Sequence, residues 1–163
     1  MRLYLIRHGK AARDSDSGRD EDRRLAPRGK RQAEWLGETL AAGELPPVRV
    51  VASPAARAAR TAALIADVLG LEVETSDEVG LSSRASWVVG LIAEAADTVS
   101  LAIVGHNPTL SMVAETLVHG VGGGGGGVGQ IELRTGEAAV LDLPDPTDPI
   151  GSATLVRLLR LDD

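Results

Sequence analysis

Short apolar runs at residues 2–6, 48–53 and 99–105 are separated by stretches of helical period. The first, "RLYLI", lacks the polar alternation of a strand with one wet face, so it reads as a strand covered on both sides. "VRVVAS" and "VSLAIVG" read as further buried strands. Between them, "PRGKRQAEWLGETLAA" places Ala33, Leu36 and Leu40 on one stripe of a helix. "PAARAARTAALIADVLG" reads as a second helix closed by Gly70. A short strand at 71–75, a helix at 84–96 and a helix from Pro108 to Gly120 complete the alternation. This order predicts an α/β domain with a largely parallel sheet. Its 163 residues suit one domain with a sizeable core. Phe is absent and aromatic residues are 2% of the chain, so Leu, Val, Ile and Ala must fill that core.

Past residue 120 the pattern changes. "GVGGGGGGVG" holds six consecutive glycines at 122–127. Glycine loses the most backbone entropy on ordering, so residues 120–129 are expected to form a flexible loop within the single domain 1–163. The run lacks a Walker pattern. Residues 129–144 suggest two strands around a Thr-Gly turn, and residues 153–161 a final strand.

The net charge of −6 argues against a nucleic-acid partner held by overall positive charge. The absence of cysteine excludes disulfides, thiol catalysis and a Cys-based zinc site. No stretch approaches the ~18 apolar residues of a membrane span. A soluble cytoplasmic protein without a membrane partner is the expectation.

The strand ends are unusual. The first ends in Arg7-His8-Gly9, the second in Ser53-Pro54 with Arg57 close behind, and the run at 99–105 in Gly105-His106-Asn107-Pro108. Sites in open α/β sheets form at the carboxyl ends of strands, so these endings can meet in one crevice. Ser53-Pro54 and Asn107-Pro108 read as helix N-caps followed by proline at the first helical position. Their helix N-termini would favour an anion. Of the three histidines, His8 and His106 lie at strand ends, whereas His119 sits at a helix C-terminus, where a cation is favourable for structure alone.

"LIRHGK", "SPAARAARTA" and "VGHNPTL", in this order, resemble the histidine phosphatase superfamily. "DRRLAPRGKRQA" is similar to its Arg-x-Leu-x-x-x-Gly segment. The short chain, without a large insertion before "GHN", resembles the small phosphohistidine phosphatase branch (SixA type). The motifs span residues 1 to about 118. The resemblance implies a three-layer α/β/α sandwich with a mixed, mostly parallel central sheet. It implies His8 as nucleophile, with Arg7, Arg57 and His106 forming the phosphate pocket.

A neutral imidazole can attack an anionic phosphoryl group without charge repulsion. Its second nitrogen must donate to a fixed acceptor to set the tautomer. Arg7 and Arg57 offer permanently charged, forked donors to the equatorial oxygens. His106 is a third donor, best when protonated, and Asn107 adds to phosphate binding. No metal or cofactor is called for. An ester leaving group needs an acid, for which Glu78 is the candidate and Asp77 a weaker one; the mutase branch's Glu-Arg context is missing. A phosphohistidine substrate needs less help, because its nitrogen leaving group departs as neutral imidazole. The charged loop holding Asp14, Asp16, Asp20, Glu21 and Asp22 reads as a solvated loop that could border the pocket. The expected substrate is a protein phosphohistidine. The alternatives are a small phosphate ester and a regulatory domain that binds phosphate without turnover.

Overall fold

The computed structural model describes residues 1–122 and 130–162. Six strands form one sheet: β1 (Arg2–Arg7), β2 (Arg49–Ala52), β3 (Val73–Thr75), β4 (Ser100–Gly105), β5 (Ala138–Asp142) and β6 (Thr154–Leu159). Their order is β3-β2-β4-β1-β5-β6. The pairs β3–β2, β2–β4 and β4–β1 are parallel, and β5 runs antiparallel to both β1 and β6. The sheet is therefore mixed and mostly parallel, as expected.

Four helices cover it: α1 (Pro27–Ala41), α2 (Ala56–Leu69), α3 (Ala85–Glu94) and α4 (Thr109–His119). β1 shows why its sequence lacks alternation. Leu3 and Leu5 pack with Val88, Ile92, Leu110 and Leu117 of α3 and α4. Tyr4 and Ile6 pack on the other face with Leu36, Leu40, Ala62 and Ile65 of α1 and α2. Both sheet faces are dry, which gives three layers. Ala58, Ala62 and Ala66 are buried in α2, so small residues bring that helix close to the sheet where bulky aromatics are lacking.

Several expectations need correction. β3 is shorter than residues 71–75. The segment 130–134 is no strand: the Ile131 N–H is taken by the Glu115 carboxylate and the Leu133 N–H by Ser111 Oγ at 3.1 Å. Side chains of α4 thus hold backbone that a neighbouring strand would have paired. The Thr-Gly turn is present, with Gly136 at φ 74° and its N–H 2.9 Å from the His8 carbonyl. A Cβ there would lie 2.5 Å from the Gln32 side chain, so glycine is required twice over. The two helices expected to start at proline begin later, at Ala56 and Thr109. Ser53 and Asn107 still accept N–H groups, Ser53 from Ala55 just before α2 and Asn107 from Ser111 in the first turn of α4. Gly70 closes α2 at φ 68°, as read. The run 123–129, and with it most of the glycine stretch expected to form a loop, lies outside the described residues.

Among the described residues, no helix is long and apolar enough to cross a membrane.

Candidate active site

The carboxyl ends of β1, β2 and β4 lie side by side, and the loops leaving them frame a cleft of about 710 Å³. Arg7, His8, Arg57, His106 and Asn107 all line it. Residues 99 positions apart in the chain thus meet through the parallel register that sets Arg7 opposite Gly105.

His8 is buried, with 7% of its surface exposed. Its Nδ1 lies 2.8 Å from the Gly9 carbonyl oxygen, which only accepts, so Nδ1 carries the ring proton and Nε2 keeps a lone pair. Arg57 Nε donates to that Nε2 at 3.2 Å. Burial lowers the His8 pKa to about 4 against the Gly9 bond, and Arg57 and Arg7 push the same way. His8 is therefore a neutral imidazole through the physiological range.

The loop after His8 is held by α2 and α1. The Gly9 N–H donates to Thr61 Oγ1 at 3.0 Å, and Thr61 in turn donates to the Arg57 carbonyl at 2.7 Å. The Lys10 N–H donates to Gln32 Oε1 at 2.9 Å, while Gln32 Nε2 donates to the Thr135 carbonyl at 2.9 Å. The threonine of "SPAARAART" and the buried Gln32 thus fix the loop that follows His8.

His106 is also 7% exposed, with its ring centroid 5.2 Å from that of His8. Its Nε2 sits 2.7 Å from Ser53 Oγ, and its buried Nδ1 has no partner among the described residues. Burial first, then His8 and Arg57, lower its pKa to about 3. His106 was expected to donate best when protonated; burial and the neighbouring cations here favour its neutral ring instead.

Arg7 donates through Nη1 to the Leu133 carbonyl at 3.0 Å, and its buried Nε has no partner among the described residues. Burial lowers its pKa from the usual value. Asn107 Nδ2 donates to the same carbonyl at 2.7 Å. The segment 130–134, misread as strand, is therefore the brace that holds two site residues.

The sequence placed Asp20 in a solvated loop that could border the pocket, with no role of its own. A 3-10 turn at Asp20–Asp22 brings it to the cleft. Arg57 Nη1 donates to the Asp20 carbonyl at 2.7 Å and Nη2 to its carboxylate at 2.9 Å. The hydrogen bond from Arg57 holds the Asp20 carboxyl below the usual carboxylate range. Arg23, of the Arg-x-Leu-x-x-x-Gly segment, reaches the same carboxylate at 3.3 Å and also lines the cleft. The rest of the charged loop is exposed or half-buried, as expected of it. Lys10 and Arg13 add two further cations to the cleft wall. Asp20 is the one carboxylate among the lining residues, so a strongly cationic cleft stands in a chain of net charge −6.

Glu78 is exposed on the 3-10 turn Asp77–Val79 and is not among the residues lining the cleft; Val79 is that turn's buried residue. Asp77 lines a neighbouring groove instead. His119 ends α4, 3.7 Å from Glu115 and away from the cleft.

A family model described as "Histidine phosphatase superfamily (branch 1)" matches residues 3–80. An uncharacterized protein of Picosynechococcus sp. is 33% identical over 149 residues, spanning 86% of this chain and 88% of that one. The chain belongs to the histidine phosphatase superfamily. The solved structure of the presumptive phosphohistidine phosphatase SixA of Nakamurella multipartitia superposes on this family member with a TM-score of 0.81 at 29% identity, covering 98% of this chain and 95% of that one. The protein histidine phosphatase SixA, solved with tungstate, shares the fold at a TM-score of 0.82 and 22% identity, covering 98% and 96%.

Proposed function

We propose that this histidine phosphatase superfamily member removes the phosphoryl group from protein phosphohistidine, as a SixA-type phosphatase, through a covalent intermediate on His8. The observation that carries the reading is the state of His8: neutral, with Nδ1 donating to the Gly9 carbonyl and Nε2 left with a lone pair beside two guanidinium groups.

In the first step Nε2 attacks phosphorus in line, and the bond from phosphorus to the substrate nitrogen breaks. The substrate ring, already protonated by solvent on its other nitrogen, takes the electron pair of that bond and departs as neutral imidazole. His8 then carries the phosphoryl group on Nε2 as an imidazolium, its Nδ1 proton retained by the Gly9 carbonyl. In the second step water attacks phosphorus, loses a proton, and inorganic phosphate departs with His8 restored. Charge on the three equatorial oxygens is met by Arg7 and Arg57. The unpartnered Arg7 Nε and His106 Nδ1 are buried polar atoms of the kind a bound anion satisfies. With Ser53 donating its hydroxyl proton to Nε2, His106 Nδ1–H is the free donor.

The proton economy favours a phosphoramidate over an alkyl ester. Asp20 is the carboxylate in the cleft, and Arg57 holds it ionised, so it has no proton to give at neutral pH. An alkoxide leaving group needs that proton; an imidazole does not depend on it. The names of the SixA structures of similar fold point the same way.

The test is chemical trapping. Brief incubation with a phosphohistidine protein labelled on phosphorus is expected to give an acid-labile, alkali-stable phosphoenzyme, lost in His8→Ala together with turnover. Label absent from wild type, with His8→Ala still active, would remove the covalent mechanism. Faster turnover of sugar phosphates would move the assignment to a small-ester phosphatase, and phosphate binding without turnover of either would leave a regulatory domain.

A further inference from the structure

The cleft continues past the phosphate pocket on one side. Leu81, which lines the cleft, also lines a groove of about 450 Å³ with Ser53, Pro54, Ala55 and Trp87 in its walls. Ser53 is the residue whose hydroxyl meets His106, so groove and pocket share a wall.

The aromatic residues make this groove unusual. The chain has two Trp, one Tyr and no Phe. Tyr4 is buried and Trp35 packs against the core, whereas Trp87 is 47% exposed. Its helix, α3, buries Val88, Leu91 and Ile92 in the core, while Trp87 stays half exposed and contributes less to it. Leu81 beside it is 43% exposed. The Arg84 guanidinium lies 5.7 Å above the Trp87 ring, a stacking that steadies the indole while leaving it at the surface.

The charge pattern says which end of a substrate belongs there. The phosphate pocket is lined by Arg7, Lys10, Arg13, Arg23 and Arg57. Among the described residues lining the groove the charged ones are Asp77 and Glu21, Glu21 paired with Arg19, while the nearby Arg84 is stacked on Trp87. Two carboxylates in its wall make the groove a poorer place for a phosphoryl anion than the cationic pocket. A small phosphate ester fills the pocket and leaves the groove bare, whereas a polypeptide bearing the phosphorylated side chain runs on over Leu81.

We propose that the groove docks the polypeptide flanking the phosphorylated histidine, an apolar side chain lying against Leu81 and Trp87 and a basic one facing Asp77. This inference rests on the protein-phosphatase reading above, and deepens it. Burial of one apolar side chain against an exposed indole supports a preference of about tenfold.

The experiment compares phosphohistidine peptides with Leu-Lys flanks and with Asp-Asp flanks, alongside phosphoramidate, a donor that needs the phosphate pocket alone. Wild type is expected to favour the Leu-Lys peptide by about tenfold in kcat/KM, through KM. Trp87→Ala and Leu81→Ala are expected to lose that preference, and Trp87→Ala, whose residue lies outside the phosphate cleft, to hydrolyse phosphoramidate at the wild-type rate, with melting temperatures showing intact folds. Trp87→Phe is expected to keep most of it. Preference unchanged in both alanine variants, with phosphoramidate still hydrolysed, overturns the docking proposal and leaves the phosphatase reading standing. An equal fall on peptides and phosphoramidate in Trp87→Ala overturns it too, since Trp87 would then serve the phosphate pocket. No hydrolysis of phosphoramidate or of any peptide by wild type overturns both readings.

Discussion

All three nitrogens of the Arg57 guanidinium are engaged. Nε is on His8, and Nη1 and Nη2 are on Asp20. A phosphoryl group that uses Arg57 must displace Asp20, and a nucleophilic His8 must shed the Arg57 Nε–H. The guanidinium is buried, so it cannot turn to water for a partner, while the Asp20 carboxylate is 58% exposed and easily rehydrated. An exposed carboxylate is a weak competitor against a dianion for a buried cation. Asp20 thus stands in for the substrate's charge at Arg57 and yields to it. Asp20→Asn keeps a hydrogen-bonding side chain and removes the competing charge. Inhibition by inorganic phosphate is expected to tighten about tenfold in this variant, read from competition kinetics at neutral pH. Weaker inhibition would mean that Asp20 serves to place Arg57.

At the scale of elements, the site depends on how closely β1's exit loop meets α1. A Cβ on Gly9 would lie 2.5 Å from the Gly29 carbonyl oxygen, and one on Gly29 would lie 2.1 Å from that of Lys10. Both obstacles are backbone and cannot swing aside. This contact explains why the Arg-His-Gly and Arg-x-Leu-x-x-x-Gly segments each end in glycine: the two glycines pack face to face. Around them, the Ala26 N–H donates to the Lys10 carbonyl and the Ala12 N–H to that of Arg24, each at 2.8 Å. Gly29→Ala is expected to cost about 1–3 kcal/mol in urea unfolding and to lower phosphatase activity, because the strain falls on the loop carrying His8. Unchanged stability and activity would show that α1 can slide away without moving the loop. This contact also marks the limit of the sequence. The buried runs of β1, β2 and β4 were legible because a dry strand must be apolar throughout, and their polar ends therefore stood out as Arg7, His8, Arg57 and His106. Asp20 was hidden because its loop looks like any charged loop until the 3-10 turn folds it back 37 residues away from its partner. The segment 130–134 was hidden because its composition suits a strand, and only the positions of Ser111 and Glu115 on α4 make side chains its hydrogen-bond partners. Ser53 and Asn107 have the chemistry of caps, yet here the same Ser53 hydroxyl also meets His106, and the Asn107 amide nitrogen donates to the Leu133 carbonyl.

For the molecule as a whole, the site carries a cost that pH exposes. His8 and His106 titrate near 4 and near 3 in the folded protein, chiefly because they are buried, against about 6.5 when unfolded. Between those values the unfolded chain binds protons that the folded chain refuses. Folding stability is therefore complete above about pH 6.5 and falls as pH drops toward 4, the window in which the unfolded imidazoles charge and the folded ones do not. The loss is on the order of 3 kcal/mol per imidazole across that window, a large part of the stability of an ordinary domain. Asp20, held low by Arg57, adds a loss of the same sign only below the ordinary carboxylate range, so the two contributions separate along the pH axis. Urea unfolding at pH 7, 6 and 5 is expected to show a steady decline in wild type and a shallower one in His8→Asn/His106→Asn. Inorganic phosphate is expected to flatten the wild-type slope, because a bound anion favours the charged form of the rings beside it. A flat wild-type profile without phosphate would mean that the two rings take protons as readily folded as unfolded. The cleft would then be open to water, and the argument for a neutral nucleophile at His8 would fall with it.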